Sequence, residues 1–151
     1  MKKISLLILT YAVAIAANAQ STAKYNKALA DSLGADEYGM KMYTFVILKT
    51  GENKTTDKAK IDSAFKGHMA NIGKLAANGK LVVAGPMGKN DKNYRGIFIF
   101  NVKTVAEAQE LLKSDPAIQA KLLDAEIYPW YGSAALPLYL PSHEKVQKTK
   151  M

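Results

Sequence analysis

Apolar residues recur between positions 56 and 77 with the spacing of one face of an α-helix. Intervals of four, seven and three residues keep these side chains on the same side of a helix. The members of this stripe are Ile61, Phe65, Ile72 and Leu75. The pattern predicts a helix from about Thr56-Asp57 to Ala77. Because His68 falls within the stripe, its imidazole is predicted to point into the protein.

Two glycines, Gly67 and Gly73, interrupt this helical stretch. Each weakens a helix by about 1 kcal/mol relative to alanine, so their presence predicts close backbone packing around His68. Asn78-Gly79 then supplies the left-handed residue that ends a helix.

Four runs rich in β-forming residues predict strands. They cover residues 42–48, 81–87, 94–102 and 122–130. Between the last two runs, the capping box Thr104-Val105-Ala106-Glu107 predicts the start of a second helix, and Asp115-Pro116 predicts a short helical turn. The resulting order, β-α-β-β-α-β, is the signature of a ferredoxin-like α+β fold.

Both faces of the predicted sheet are apolar, although two helices can cover only one of them. In the third strand Ile97 and Ile99 alternate with Phe98 and Phe100, and the first strand alternates apolar side chains in the same way. A monomer would expose one of these faces to water as a large patch. We therefore expect a homodimer in which a second copy covers that face, and the alternation is compatible with either face.

The N-terminus has the pattern of an export signal. Lys2 and Lys3 precede an apolar run from Ile4 to Ala17, and Ala17-Asn18-Ala19 fits a signal-peptidase site. A membrane-spanning helix is the competing interpretation, but the wholly apolar part is interrupted at positions 10 and 11 and is short for a span. We expect cleavage after Ala19 and a periplasmic or secreted protein with no membrane association after cleavage.

These signals divide the chain into four segments. They are a signal peptide at 1–19, an N-terminal appendage or linker at 20–40, the ferredoxin-like domain at 41–131, and a C-terminal arm with a basic tail at 132–151. The arm is too apolar to be wholly free, so we expect it to dock on the dimer as far as about Pro141.

Charge and composition narrow the classes of function. The formal net charge is +8, but the lysines are scattered rather than concentrated along one element with interleaved aromatics, so nucleic-acid binding is not expected. The absence of cysteine excludes disulfides and a lipoprotein anchor. The sequence has no metal-ligand spacing and no phosphate-binding glycine loop, so we expect neither a metal nor a cofactor.

Several short motifs between Met42 and Trp130 together resemble the YCII-related domain family. They are Gly67-His68-Met69, Asn78-Gly79-Lys80-Leu81, Ala84-Gly85-Pro86, Ala106-Glu107-Ala108, Asp115-Pro116 and Glu126-Ile127-Tyr128-Pro129-Trp130. The resemblance implies a dimeric α+β barrel of the ferredoxin-like superfamily. It also implies a His-Asp pair, formed here by His68 and Asp115.

His68 and Asp115 are the candidate catalytic residues. A histidine can move a proton near neutral pH, and a carboxylate on its other ring nitrogen fixes the tautomer and raises its basicity. In the alternative, structural interpretation, His68 bonds a backbone carbonyl in the core and Asp115 only caps the turn before Pro116. Asp115 can also do both, because a cap uses one carboxylate oxygen.

Three further residues are candidate ligand contacts. Gly85-Pro86 ends a strand where the backbone can approach a ligand, although the two residues also suit a simple strand end. Arg95 can hold an anionic substrate, or it is an exposed charge at the rim.

Two functions follow as hypotheses. The first is an exported enzyme of lyase, isomerase or hydrolase type that acts on a small, aromatic or lactone-like molecule by general acid/base chemistry. The second is a non-catalytic dimeric ligand-binding or stress-related module. A structure in which His68 is packed with no cavity beside it would favour the second.

Overall fold

A computed structural model describes residues 24–149. The predicted signal peptide, residues 1–19, lies outside the described residues. The elements in chain order are α1 (Lys27–Leu33), β1 (Met40–Thr50), α2 (Lys58–Ala77), β2 (Leu81–Pro86), β3 (Tyr94–Phe100), α3 (Val105–Lys113), α4 (Pro116–Gln119), β4 (Leu123–Ser133), a 3-10 helix (Leu136–Tyr139) and α5 (Leu140–Val146).

The four strands form one antiparallel sheet in the order β2-β3-β1-β4. With α2 and α3 in the connections, this is the predicted ferredoxin-like β-α-β-β-α-β arrangement, an α+β fold. β1 and β4 have eleven residues each and are longer than predicted. They pair along their whole length, from Met40 with Ser133 to Thr50 with Leu123, so backbone pairing continues past the apolar runs.

The helix ends follow the predicted capping chemistry. The Asp57 side chain accepts a hydrogen bond from the Lys60 amide at the start of α2, and Gly79 after its end has a left-handed φ of 65°. At the start of α3, Thr104 and Glu107 form the complete capping box. The hydrogen bond from Thr104 lowers the pKa of the Glu107 carboxyl.

One face of the sheet is buried under the helices. The β1–β3 register places Val46 opposite Phe98, and both side chains are almost completely buried together with Phe100. Apolar side chains from α2, α3 and α4 complete this core. Because Phe98 and Phe100 face the helices, Ile97 and Ile99 belong to the opposite side of the sheet, which we call the open face.

The C-terminal segment, formed by the 3-10 helix Leu136–Tyr139 and α5, covers one end of the open face. Tyr43, Val82 and Ile99 are buried there and pack with Leu136. The Tyr139 hydroxyl donates a hydrogen bond to the Val82 carbonyl, so the segment crosses the sheet from β4 at one edge to β2 at the other. The segment therefore docks on the sheet of its own chain.

The rest of the open face is partly exposed in a single chain. Phe45, Ile47 and Ile97 are only half-buried at its centre. At the end away from the C-terminal segment, Lys49 Nζ lies 2.9 Å from a carboxylate oxygen of Glu126. This hydrogen bond raises the pKa of Lys49 and lowers that of Glu126, so both groups are charged at neutral pH. The open face thus has an apolar centre between the C-terminal segment and a charged end.

The described part of the N-terminal appendage consists of α1 and the link that joins it to β1. α1 contributes no buried side chain. In the link, the Asp36 carboxylate accepts hydrogen bonds from the Tyr131 hydroxyl and from the amides of Met40 and Tyr38, and these bonds lower its pKa. Within residues 24–149, no helix combines the length and the hydropathy needed to cross a membrane.

Candidate functional site

His68 and Asp115 lie side by side in the interior, although 47 positions separate them in the chain. His68 Nδ1 is 2.7 Å from Asp115 Oδ2, and the two residues are 8% and 1% exposed. A carboxylate only accepts hydrogen bonds, so Nδ1 is the donor and the neutral ring carries its hydrogen there. This tautomer leaves the lone pair on Nε2 available to accept a proton.

The second carboxylate oxygen of Asp115 caps α4. Oδ1 accepts hydrogen bonds from the amides of Ala117 (2.9 Å) and Ile118 (3.4 Å), with Pro116 in the first turn of the helix. One carboxylate therefore caps the helix and also contacts His68. These partners compensate for burial, since an unpaired carboxylate in the interior would cost several kcal/mol.

A further polar contact joins α2 to the α3–α4 junction. Asn71 is buried, and its Oδ1 lies 3.1 Å from the hydroxyl oxygen of Ser114. Asn71 is about one helical turn after His68, and Ser114 immediately precedes Asp115. The two contacts therefore fix the junction against the same side of α2.

The glycines of α2 have different surroundings. A Cβ atom on Gly67 would lie 2.7 Å from Cγ of Pro116, so the absence of a side chain lets the junction approach α2. This confirms the close packing predicted for Gly67. The same prediction for Gly73 is wrong, because no atom from another part of the protein lies within 4 Å of its Cβ position.

Aromatic side chains fix the plane of the imidazole ring. The ring stacks on Phe98 of β3, with centroids 5.9 Å apart and planes inclined by 25°. Phe65, three residues earlier in α2, meets the ring edge-on at 6.1 Å. With Nδ1 held by Asp115, these contacts give Nε2 a fixed direction.

A pocket of about 320 Å³ lies beside His68, between α2 and the adjoining ends of β2 and β3. Its walls are mainly apolar and include Phe65, Met69, Ile72 and Phe98. Among the described residues, none hydrogen-bonds His68 Nε2. Every fully buried side-chain nitrogen or oxygen of these residues has a hydrogen-bond partner, so Nε2 is not fully buried. Nε2 is therefore open to the pocket rather than enclosed in the core.

The pocket brings together four of the five predicted site residues. His68, Gly85, Pro86 and Arg95 line it, whereas Asp115 stands behind His68 and does not. His143, the second histidine of the sequence, is exposed on α5 and lies outside this pocket. Within residues 24–149, no group of three or more His, Cys, Asp or Glu side chains is arranged to hold a metal ion.

Gly96 also lines the pocket, although no motif of the sequence predicts it there. It faces the pocket from the start of β3, and a Cβ atom there would lie 2.7 Å from the carbonyl oxygen of Gly85. The missing side chain lets β2 and β3 approach and keeps the pocket open. An isolated glycine inside an apolar strand is the signal that could have identified it.

Comparisons with known proteins give one family and a structural similarity. The profile of the YCII-related domain matches residues 42–131, which is more than half of the chain. No curated protein matches. Among solved structures, the chain is similar to 5-chloro-2-hydroxyhydroquinone dehydrochlorinase from Burkholderia phenoliruptrix, determined as a complex with 2,5-dihydroxybenzoquinone. The identity is 24%, the similarity covers 58% of this chain and 92% of that chain, and the TM-score is 0.42.

The contrast between the two glycines of α2 predicts opposite effects of the same substitution. Gly73→Ala should raise the free energy of unfolding by about 1 kcal/mol, because alanine favours a helix and nothing occupies its Cβ position. Gly67→Ala should instead lower it by about 1–3 kcal/mol, because Pro116 must move. Urea unfolding of the two variants measures both changes. Equal stabilisation by both substitutions would show that the Gly67–Pro116 contact does not constrain the junction.

Proposed function

The chain belongs to the YCII-related domain family, and from this premise we propose that it is an exported small-molecule enzyme of lyase, isomerase or hydrolase type. One observation carries the proposal. The Nε2 atom of a histidine opens into an apolar pocket, while a buried carboxylate holds the other ring nitrogen.

In this proposal His68 is the general acid/base. Nε2 takes a proton from the bound molecule and returns it to another atom of the same molecule or to a leaving group. Asp115 keeps the ring in the required tautomer and stabilises the imidazolium that forms when Nε2 is protonated. Both functions use the 2.7 Å hydrogen bond between the two side chains.

The pocket restricts the substrate to a small molecule. Its volume of about 320 Å³ is at the lower end of the range for small-molecule sites. Apolar walls exclude water, which strengthens the electrostatic interactions of a proton in transit. In this proposal Gly85 and Pro86 contact the ligand through backbone and ring atoms, and Arg95 contacts it through its guanidinium.

The second candidate function is a non-catalytic binding or stress-related module. It is favoured by the structural work of Asp115, which caps α4 and joins α2 to the junction before it. A pair that holds the fold together needs no turnover to explain its presence. The pocket beside His68 supports binding under either function.

Export and dimerisation complete the proposal. The N-terminal signal pattern supports export to the periplasm or the medium, with no membrane association after cleavage. The scattered positions of the lysines argue against a nucleic-acid partner. For the dimer, the support is the open face, whose apolar centre of Phe45, Ile47 and Ile97 is flanked by a charged end. An apolar centre with a polar rim is the usual anatomy of a protein interface. A second copy of the chain would cover this centre.

The catalytic proposal predicts a selective loss of proton transfer when Nε2 is removed. His68→Asn places an amide nitrogen near the position of Nδ1, so it can still donate to Asp115 while deleting Nε2. We expect it to lower the rate of solvent deuterium incorporation or product formation by about 10²–10⁴-fold. The assay is proton NMR in D₂O on a panel of γ-lactones, cyclic enones and hydroxylated quinones.

Two variants control this measurement. His143→Asn makes the same change at the exposed histidine and should leave the rates unchanged. Asp115→Asn keeps a helix cap but removes the charge that stabilises the imidazolium, so its rates should also fall. If wild type and His68→Asn behave alike on the whole panel, catalysis by His68 is excluded and the binding module becomes the better account.

The open face predicts the assembly state. The mature protein should have twice the monomer mass by light scattering at micromolar concentration. Ile97→Glu should give a folded monomer, since it places a charge at the centre of the open face, where the side chain is already half-exposed in one chain. Ala70→Glu, on the exposed side of α2, is the control and should remain a dimer. A monomeric wild type, or a dimeric Ile97→Glu variant, would contradict the proposed interface.

A further inference from the structure

The pairing of β3 with β1 is irregular at the pocket. Leu48 pairs with Gly96, but the next residue of β1 pairs with Tyr94, so Arg95 is left over as the extra residue of a β-bulge. Regular alternation would place Arg95 on the open face together with Ile97. Instead Arg95 lines the pocket on the helix side of the sheet, next to Gly96. The bulge therefore redirects one side chain from the open face to the pocket.

Arg95 differs from the other basic residues of the protein. It is the one arginine in the sequence, and all the others are lysines. Its backbone is fixed, because its carbonyl oxygen accepts a hydrogen bond of 2.9 Å from the Met87 amide. None of the ion pairs found within residues 24–149 involves its guanidinium. A pocket residue with a fixed backbone therefore carries a planar, bidentate donor that has no acidic partner among these residues.

The remaining pocket wall determines which charge the pocket prefers. Among the residues that line it, only His68 and Arg95 are ionisable, and no carboxylate is exposed to the interior of the pocket. Asp115 is 1% exposed behind His68, and both of its oxygens already accept hydrogen bonds. An anion would therefore meet a cationic donor at Arg95 and no opposing negative charge.

We propose that the pocket selects apolar, ring-sized molecules that carry one carboxylate or a similar planar anionic group, with Arg95 as the specificity-determining residue. The guanidinium would hold the two oxygens side by side, and the apolar body would lie between Phe65 and Phe98. The placement of a reacting atom opposite His68 Nε2 rests on the proposed function, whereas charge selection by Arg95 is independent of it.

Two molecules of nearly the same shape test this selection: 2-naphthoate, which is an anion, and 2-naphthamide, which is neutral. Both have the same apolar body, so the ratio of their dissociation constants isolates the charge. Wild type should bind the carboxylate about tenfold more tightly than the amide, because a charge-assisted hydrogen bond is stronger than a neutral one. Calorimetry or ligand-observed NMR at low salt measures the two dissociation constants. Arg95→Gln should remove this preference, and Arg95→Lys should keep part of it, since lysine supplies a charge without the bidentate fork.

A matched variant and the choice of readout separate this proposal from general electrostatics and from the proposed catalysis. Lys66→Gln removes a positive charge from the exposed surface of α2, outside the pocket, and should preserve the preference. The readout is binding rather than turnover, so a failure of catalysis by His68 would leave this result intact. Equal binding of the two probes to wild type, no binding of either probe, or a preference that survives Arg95→Gln would overturn the proposal.

Discussion

The arrangement of the helices depends on the burial of one carboxylate. Asp115 is 1% exposed, so its two oxygens must find partners within the protein. One oxygen accepts from His68 in α2 and the other from the first amides of α4. These bonds join two elements that are distant in sequence, and the Gly67–Pro116 approach is possible only because Gly67 lacks a side chain. The geometry of the candidate site and the packing of the helices therefore have the same cause.

The sheet supplies the other half of the pocket through two departures from regular strand structure. Gly96 leaves room beside β2, and the bulge at Arg95 turns a cationic side chain toward the helices. Both departures lie near the turn of the β2–β3 hairpin, where Gly96 pairs with Pro86 on one side and with Leu48 on the other. The pocket thus combines a rigid imidazole from α2 with a charged donor from an irregular strand, and this combination is what the proposed function uses.

Local signals in the sequence predict the elements well, and contacts between distant residues much less well. The cap at Asp57 and the capping box at Thr104 follow from nearest-neighbour chemistry. The order of helices and strands along the chain follows from local periodicity. The packing prediction holds for Gly67 and fails for Gly73 for a geometric reason. Six residues turn a helix by about 600°, so the two positions point in different directions. No periodic pattern in the sequence predicts that the C-terminal segment crosses the open face, because prolines and a 3-10 turn interrupt its apolar residues.

The most direct test of this account is the tautomer of His68. The protein has two histidines, so long-range ¹H–¹⁵N spectra of histidine-labelled protein contain two imidazoles, and His143→Asn assigns them. With the ring neutral, the account predicts a protonated Nδ1 and a pyridine-type Nε2 for His68, the reverse of the tautomer that free histidine prefers. Asp115→Asn, which removes the obligate acceptor, should weaken this preference. A His68 ring with its hydrogen on Nε2 in the wild type would contradict the account, because the atom facing the pocket would then have no lone pair to accept a proton.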